Sequence, residues 1–320
     1  MMKLTTMVRG VRGDAVAREL IRNWEFDEGT LKFWRASSNF VYVFESDGER
    51  HFLRFNYEEE STVEQMTAEL EFMRYLIKNG YPCVTPVSSV DGNWIETVQA
   101  PEGHYHGVVF SAAAGIALDG NLTATQCKDW GKSLARLHTL SSEYEPGTVK
   151  RKSAEDILRM IDQVLQRHPE EQDAVEELHR VSLWLQFMPS SRQTYGLIHY
   201  DFQLDNIFYE AKEHSFRVID FDDAMYHWFA MDIVTALADT ESEDEKRAFL
   251  RGYRSIRSLD HELEGEFPRF RRFGRLYGFA RVLRSLEDSD LTDVPPWYEG
   301  LRMKLLRYCE NDRQGFRKPW

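Results

Sequence analysis

Two short stretches, His199-Tyr200-Asp201-Phe202-Gln203-Leu204-Asp205-Asn206 and Ile219-Asp220-Phe221-Asp222, constrain this 320-residue chain more than anything else in it. Each follows an apolar run that reads as a strand: Leu197-Ile198 before the first, Phe216-Arg217-Val218-Ile219 before the second. Strand ends therefore deliver two carboxylates and an amide to two loops. Hard oxygen donors of this kind suit Mg²⁺, which takes one or two ligands from protein and the rest from phosphates or water. Asp201 is the candidate catalytic carboxylate, able to accept or orient the proton of a hydroxyl. His199 joins it as a residue that braces the loop by hydrogen bonding. Asn206 and Asp220 are the candidate metal ligands, and Asp222 either approaches the metal through water or caps the turn. Asx contacts that merely stabilise turns would explain Asp201, Asp205 and Asn206 one at a time. They do not explain the joint spacing.

An Asp two residues after His, an Asn five residues later and a further Asp after the next strand is an arrangement suited to phosphoryl transfer. That reaction asks mainly for positioning and for neutralised phosphate charge. On these residues the C-terminal half resembles the aminoglycoside phosphotransferase family, whose relatives include choline kinases, type II homoserine kinases and spore-coat kinase-like proteins. The segment Trp130-Gly131-Lys132-Ser133-Leu134-Ala135-Arg136-Leu137-His138 is similar to the family's Gly-x-x-Leu-Ala-x-Leu-His helix. Trp228-Phe229-Ala230-Met231-Asp232-Ile233 is similar to its aromatic-x-x-x-Asp-Ile/Leu stretch. The likeness runs from residue 30 to residue 240. It implies an α+β, two-lobed protein-kinase-like fold. A small β-rich N-lobe would span residues 1–110, a hinge 111–115, and a larger, mainly helical C-lobe 116–320. It also implies Mg²⁺-dependent transfer from ATP or GTP to a hydroxyl of a small molecule such as an aminoglycoside, amino-alcohol or sugar-like metabolite.

The resemblance assigns a nucleotide side as well. Ser37-Ser38-Asn39 stands at the family's short phosphate loop, where small side chains let backbone amides approach phosphate oxygens. Arg54 stands where a Lys contacts the α- and β-phosphates, keeping the charge but offering a fork rather than a point. Glu69 is its implied partner, with Glu71 as fallback. The nucleobase would meet Phe110, Ala112 and the small-residue link Ser111-Ala112-Ala113-Ala114-Gly115. Two departures stand out: Tyr200 replaces the usual Gly between His and Asp, and Asp222 replaces the Gly that protein kinases have. Asp232 is expected to cap a helix and brace the loop.

Periodicity fills in the rest. Asp14–Trp24 reads as an amphipathic helix, and residues 40–44 and 51–55 as strands about the turn Asp47-Gly48. A helix opening at Ser61 carries Met66, Leu70, Met73 and Leu76 on one stripe and closes at Gly80. Trp94–Val98 and Val108–Phe110 read as strands, and Pro82–Val90 as loop or edge. Residues 125–139, 153–167 and 171–187 read as helices, and the chain from Asp232 onward as helical, with Leu276, Phe279, Leu283 and Leu286 on one face. Arg269, Arg271, Arg272 and Arg275 read as one charged helix face, with an anionic acceptor or a neighbouring acidic helix as the other things it could hold, and Glu241–Glu245 as a solvated helix start.

Rival chemistries fall away on spacing. Gly131-Lys132-Ser133 lacks the Gly that a phosphate-binding P-loop needs, because Gln126 stands there. His104-Tyr105-His106 lacks a third ligand at zinc spacing. A formal net charge of −13 argues against a nucleic-acid or anionic-membrane surface. Three scattered cysteines suit a reducing compartment. Met1–Glu25 is charged throughout, unlike a secretory leader, and no run reaches membrane-spanning length. A cytoplasmic enzyme is expected. A nucleotide-binding pseudokinase is the non-enzymatic alternative, weakened by the presence of Asp201, Asn206 and Asp220. A protein Ser/Thr kinase is the other alternative, weakened by the lack of an Ala-Pro-Glu anchor.

Overall fold

The computed structural model describes residues 1–11, 13–287, 291 and 294–320. Helices α1 (Leu4–Val11) and α2 (Ala15–Ile21) precede the strands β1 (Lys32–Ala36), β2 (Phe40–Ser46) and β3 (Glu49–Tyr57). Asp47 and Gly48 both take positive φ, 51° and 74°, as a two-residue turn between twisted antiparallel strands demands. Next come α3 (Val63–Lys78), β4 (Pro86–Val87), β5 (Glu96–Ala100) and β6 (Gly103–Ser111). The sheet runs β1-β2-β3-β6-β4, with β5 also paired to β6. Thr62, not Ser61, caps α3, because its side chain and that of Gln65 form a reciprocal capping box.

The second part begins with β7 (Ile116–Ala117), α4 (Ala124–Glu143), α5 (Ala154–Gln166) and α6 (Gln172–Gln186). Then follow β8 (Tyr195–Ile198), β9 (Ile207–Glu210), β10 (Ser215–Val218) and β11 (Met225–Trp228). The chain closes with α7 (Phe229–Leu237), α8 (Glu243–Arg254), α9 (His261–Gly265), α10 (Phe267–Leu286) and α11 (Tyr298–Phe316). Two small sheets, β10-β9-β7 and β11-β8, hold the strand ends that carry both candidate loops. The fold is α+β and two-lobed. One apolar core joins α3 to the helical part, and a second fills the space between the N-terminal sheet, α1 and α2. Among the described residues no helix is long and apolar enough to cross a membrane.

The arginine cluster on α10 is only partly a solvated face: Arg269 and Arg271 are exposed. Arg272 is buried and grips Glu177 of α6 with Nε and Nη2 at 2.5 and 2.6 Å, while its Nη1 donates to the carbonyls of Lys318 and Pro319. The Gly131-Lys132-Ser133 stretch lies inside α4, where it lets α8 approach. A Cβ on Gly131 would sit 2.0 Å from the Phe249 carbonyl oxygen, and one on Gly252 1.9 Å from that of Lys128. Both collisions are with backbone, which cannot rotate away. Gly252→Ala is therefore expected to destabilise by about 3 kcal/mol, the upper end for an overpacked core. Thermal melting by circular dichroism checks it, and an unchanged midpoint would contradict this packing.

Candidate active site

Pairing of β8 with β11 sets Leu197 opposite Tyr226 and ends β8 one residue before His199. The His199 ring is fully buried, with Nε2 2.9 Å from the Ile219 carbonyl oxygen, so it ties the first loop to the second. The backbone N–H groups of His199 and Tyr200 donate to Asp232 Oδ2 and Oδ1 at 2.9 and 2.6 Å. Asp232 is fully buried, and His138 Nε2 lies 3.1 Å from its Oδ2, with His138 Nδ1 2.8 Å from the Tyr253 hydroxyl. Asp232 is thus not a helix cap: it stands inside α7, whose cap position is Trp228. It braces the loop by gathering the loop's own amides.

Tyr200 has φ 72°, a left-handed conformation that a bulky side chain adopts only under constraint. The bond to Asp232 supplies that constraint, together with an edge-on contact between its ring and Tyr277 at 5.3 Å. This geometry explains why a Gly is the easier residue here. It also aims a phenol toward α10.

Asn206 donates through Nδ2 to the Asp201 carbonyl oxygen at 3.0 Å and to Asp201 Oδ2 at 2.8 Å. That orientation leaves its Oδ1 without a hydrogen bond among the described residues. The Ile219 N–H donates to the Asn206 carbonyl at 3.0 Å, a second link between the loops. Burial raises the Asp201 carboxyl above its ordinary range, and the nearby Asp223 charge adds to the effect.

Asp220 also takes a left-handed conformation, φ 61° and ψ 65°, just beyond the β10 strand. Across the cleft, buried Arg54 on β3 makes a bidentate pair with Glu69 of α3, Nη1–Oε1 2.9 Å and Nη2–Oε2 2.7 Å. Phe110 lies under the guanidinium at 5.0 Å. Burial pulls the Arg54 pKa down, but Glu69 and then Asp222 more than offset it, so the group stays charged. Burial likewise pushes Glu69 and Asp220 upward, with Arg54 opposing both. Glu71, the fallback, makes no pair with Arg54.

These residues fit a hard divalent cation. Asp220 Oδ1 is buried and accepts no hydrogen bond, Arg54 Nη1 being 3.6 Å away. The free Asn206 oxygen belongs to the adjacent loop. Among the described residues no three His, Cys, Asp or Glu side chains form a complete cage. A cation completed by phosphate oxygens needs none.

Ser37 and Ser38 form the tip between β1 and β2, and Asn39 lies buried behind them. Asn39 Nδ2 donates to Asp222 Oδ2 at 2.9 Å, while Asn56 Nδ2 holds Asn39 Oδ1 and the Ser38 carbonyl. Asp222 thereby fastens the Ser37-Ser38-Asn39 tip to the second loop. At the link, β6 runs through Ser111, and the Ala112 N–H donates to the Arg50 carbonyl at 3.1 Å. The Ala112 amide is therefore engaged within the sheet.

Further residues join the site without a local motif to announce them. Arg151 donates to the carbonyls of Ala224, Gln65 and Asp222. Arg281 of α10 binds Asp223 Oδ2 at 2.6 Å and Ser38 Oγ at 3.2 Å, so it spans the two lobes. Arg35 of β1 reaches Asp220. Asp223, Tyr277 and Arg281 line one wall of a cavity of about 340 Å³, and Gln65, Lys152 and Arg284 line others. Asp222, Ala224 and Met225 also line it, so the cavity opens beside the second loop.

Residues 30–267 match the family model for APH, described as the phosphotransferase enzyme family. An amicoumacin kinase of Bacillus subtilis (strain 168) is 25% identical over 269 residues, covering 77% of this chain and 78% of the relative. A solved amicoumacin kinase in complex with AMP-PNP and Ca²⁺ superposes with a TM-score of 0.79 at 19% identity, covering 95% of this chain and 94% of that one. A microcompartment-associated aminopropanol kinase superposes with a TM-score of 0.71 at 22% identity, covering 94% and 95%. At such identities the superpositions speak for the fold, which is that of the kinase-like phosphotransferases.

Proposed function

The chain belongs to the phosphotransferase enzyme family, and from that premise we propose that it moves the γ-phosphoryl group of ATP onto a hydroxyl of a small molecule. The observation that carries the reading is the convergence of Asp201, Asn206 and Asp220 opposite the Arg54–Glu69 pair. In this reading Arg54 holds the α- and β-phosphates, and Glu69 keeps its fork aimed across the cleft. The backbone around Ser37 and Ser38 covers the phosphate chain, and Asn39 anchors that cover to Asp222. Asn206 Oδ1 and Asp220 hold Mg²⁺, which when bound neutralises charge on the phosphate oxygens.

Asp201 takes or orients the proton of the acceptor hydroxyl. Its raised pKa suits that role, because a stronger base at neutral pH accepts a proton more readily. Asn206 fixes its carboxylate, and His199 and Asp232 fix the backbone that carries it. The acceptor occupies the cavity between Asp223, Tyr277 and Arg281 and the start of α3. An adenine base meets the backbone of the link 111–115 beyond the Ala112 amide, which the sheet engages. The AMP-PNP in the solved amicoumacin kinase supports ATP as donor.

Purified protein incubated with Mg²⁺ and ATP or GTP, across a panel of amino-alcohols, aminoglycosides, hydroxy amino acids and sugars, tests the proposal. Acceptor-stimulated ADP release with the phosphate recovered on the acceptor is the expected result. Nucleotide that never binds would overturn it.

A further inference from the structure

We propose that Arg35 guards the metal-binding aspartate: it holds Asp220 while the cleft is empty and passes to the phosphate chain when the metal–nucleotide complex enters. The inference rests on the phosphotransfer reading above and goes beyond it, since no role has been given to β1. Arg35 Nη2 lies 3.1 Å from Asp220 Oδ2, across a sequence separation of 185 residues. Its side chain is 43% exposed, so nothing in the fold forces it into this contact.

The backbone explains how it gets there. Phe33 pairs with Tyr42 and Arg35 with Val41, so Trp34 is an extra residue bulged out of the β1–β2 ladder. A bulge re-aims the side chain that follows it. Here it turns Arg35 over the cleft, two residues before the Ser37-Ser38-Asn39 tip.

Asp220 is faced by two guanidinium groups, and they differ in freedom. Arg54 is buried, clamped by both oxygens of Glu69, and lies 3.6 Å from Asp220 Oδ1. It cannot leave without stranding a buried carboxylate. Arg35 is held by one bond at the surface and can move at little cost. A cation approaching Asp220 therefore meets Arg35 as the competitor that yields. Once released, the guanidinium stands above the phosphate chain, where a planar five-donor group binds phosphate oxygens well. The other charges facing Asp220 are Asp222 and Asp223, both of which favour a cation over an empty site.

The test separates the two halves of this exchange. Mn²⁺ binding to nucleotide-free protein is measured by electron paramagnetic resonance, and AMP-PNP binding in the presence of Mg²⁺ by calorimetry. Arg35→Gln is expected to bind Mn²⁺ about fivefold more tightly and Mg²⁺·AMP-PNP about tenfold more weakly, tenfold being the usual worth of one charge-assisted hydrogen bond. Opposite signs are the signature, because damage to the hairpin would weaken both. Arg35→Lys keeps the competing charge and is expected to stay near wild type for Mn²⁺. Arg22→Gln, on the surface of the same lobe, is expected to change neither. Two constants that fall together, or neither changing in Arg35→Gln, overturn the role of Arg35 while leaving phosphotransfer standing. A wild-type protein that binds neither probe contradicts the phosphotransfer reading itself, and this proposal with it.

Discussion

Asp201→Asn is expected to lower turnover of the acceptor found by the panel by about a thousandfold, within the range a general base supplies. Nucleotide affinity is expected to remain near wild type. The split follows from the local geometry. Asn206 Nδ2 donates to Asp201 Oδ2 and to its carbonyl, and an asparagine oxygen at 201 can accept the first of these bonds just as the carboxylate does. The loop therefore keeps its shape. What disappears is the second carboxylate oxygen, the one free to take a proton, and an amide there has no basicity to offer. Steady-state rates and calorimetric binding of AMP-PNP on the same preparation check it. Retained turnover would remove Asp201 from the chemistry, whereas lost nucleotide binding would mean that the substitution disturbed the loop.

Asp232→Asn is expected to cost about 3 kcal/mol of stability, the scale for breaking a buried charged hydrogen-bond hub. For a chain of this size that is a fall of about 5 °C in melting temperature. Both Asp232 oxygens are committed: Oδ1 to the Tyr200 N–H, Oδ2 to the His199 N–H and to His138 Nε2. An asparagine keeps one oxygen and turns an NH₂ toward one of the two backbone donors, so one amide is left facing another. Tyr200 depends on its bond to Asp232 to remain at φ 72°, and releasing it frees the backbone on which Asp201 rides. Turnover is expected to fall with stability, unlike in Asp201→Asn. The diagnostic measurement is hydrogen exchange of the His199 and Tyr200 amides, expected to accelerate in Asp232→Asn. Unchanged exchange would show that the hub does not hold the loop.

The parts of this fold that could be read from the chain are those written in neighbouring residues. Asp47-Gly48 announces its turn because both positions need positive φ, and the stripe Met66, Leu70, Met73, Leu76 announces α3. The loops 199–206 and 219–222 follow strands short enough to be recognised by their apolar runs. The Arg54–Glu69 pair is implied by the family resemblance rather than by any local pattern, and the structure forms it.

What was not legible depends on distance or on packing. The bonds from Arg35 to Asp220 and from Arg281 to Ser38 join residues 185 and 243 positions apart, with no period to link them. Strand β1 is exposed along nearly its whole length, so it lacks the alternation that marks a half-buried strand. Helix α1 is eight residues long, too short to be stable alone, and exists because Leu4, Met7 and Val8 are buried. The arginines of α10 look like a polar face in sequence. That helix buries Phe270, Phe273, Leu276 and Phe279 on several sides, so Arg272 is enclosed and finds Glu177. Asp232 resembles a helix cap by position, but its oxygens serve a loop more than thirty residues earlier.

The central claim is that Asp220 and Asn206 gather a divalent cation with the phosphates of a nucleotide held between the lobes. Calorimetric titration of AMP-PNP into wild-type protein and into Asp220→Asn, each with Mg²⁺ and with chelator, tests it without knowledge of the acceptor. Binding that strengthens with Mg²⁺ in the wild type and loses that dependence in Asp220→Asn is the expected result. Binding indifferent to Mg²⁺ in both proteins would contradict the account.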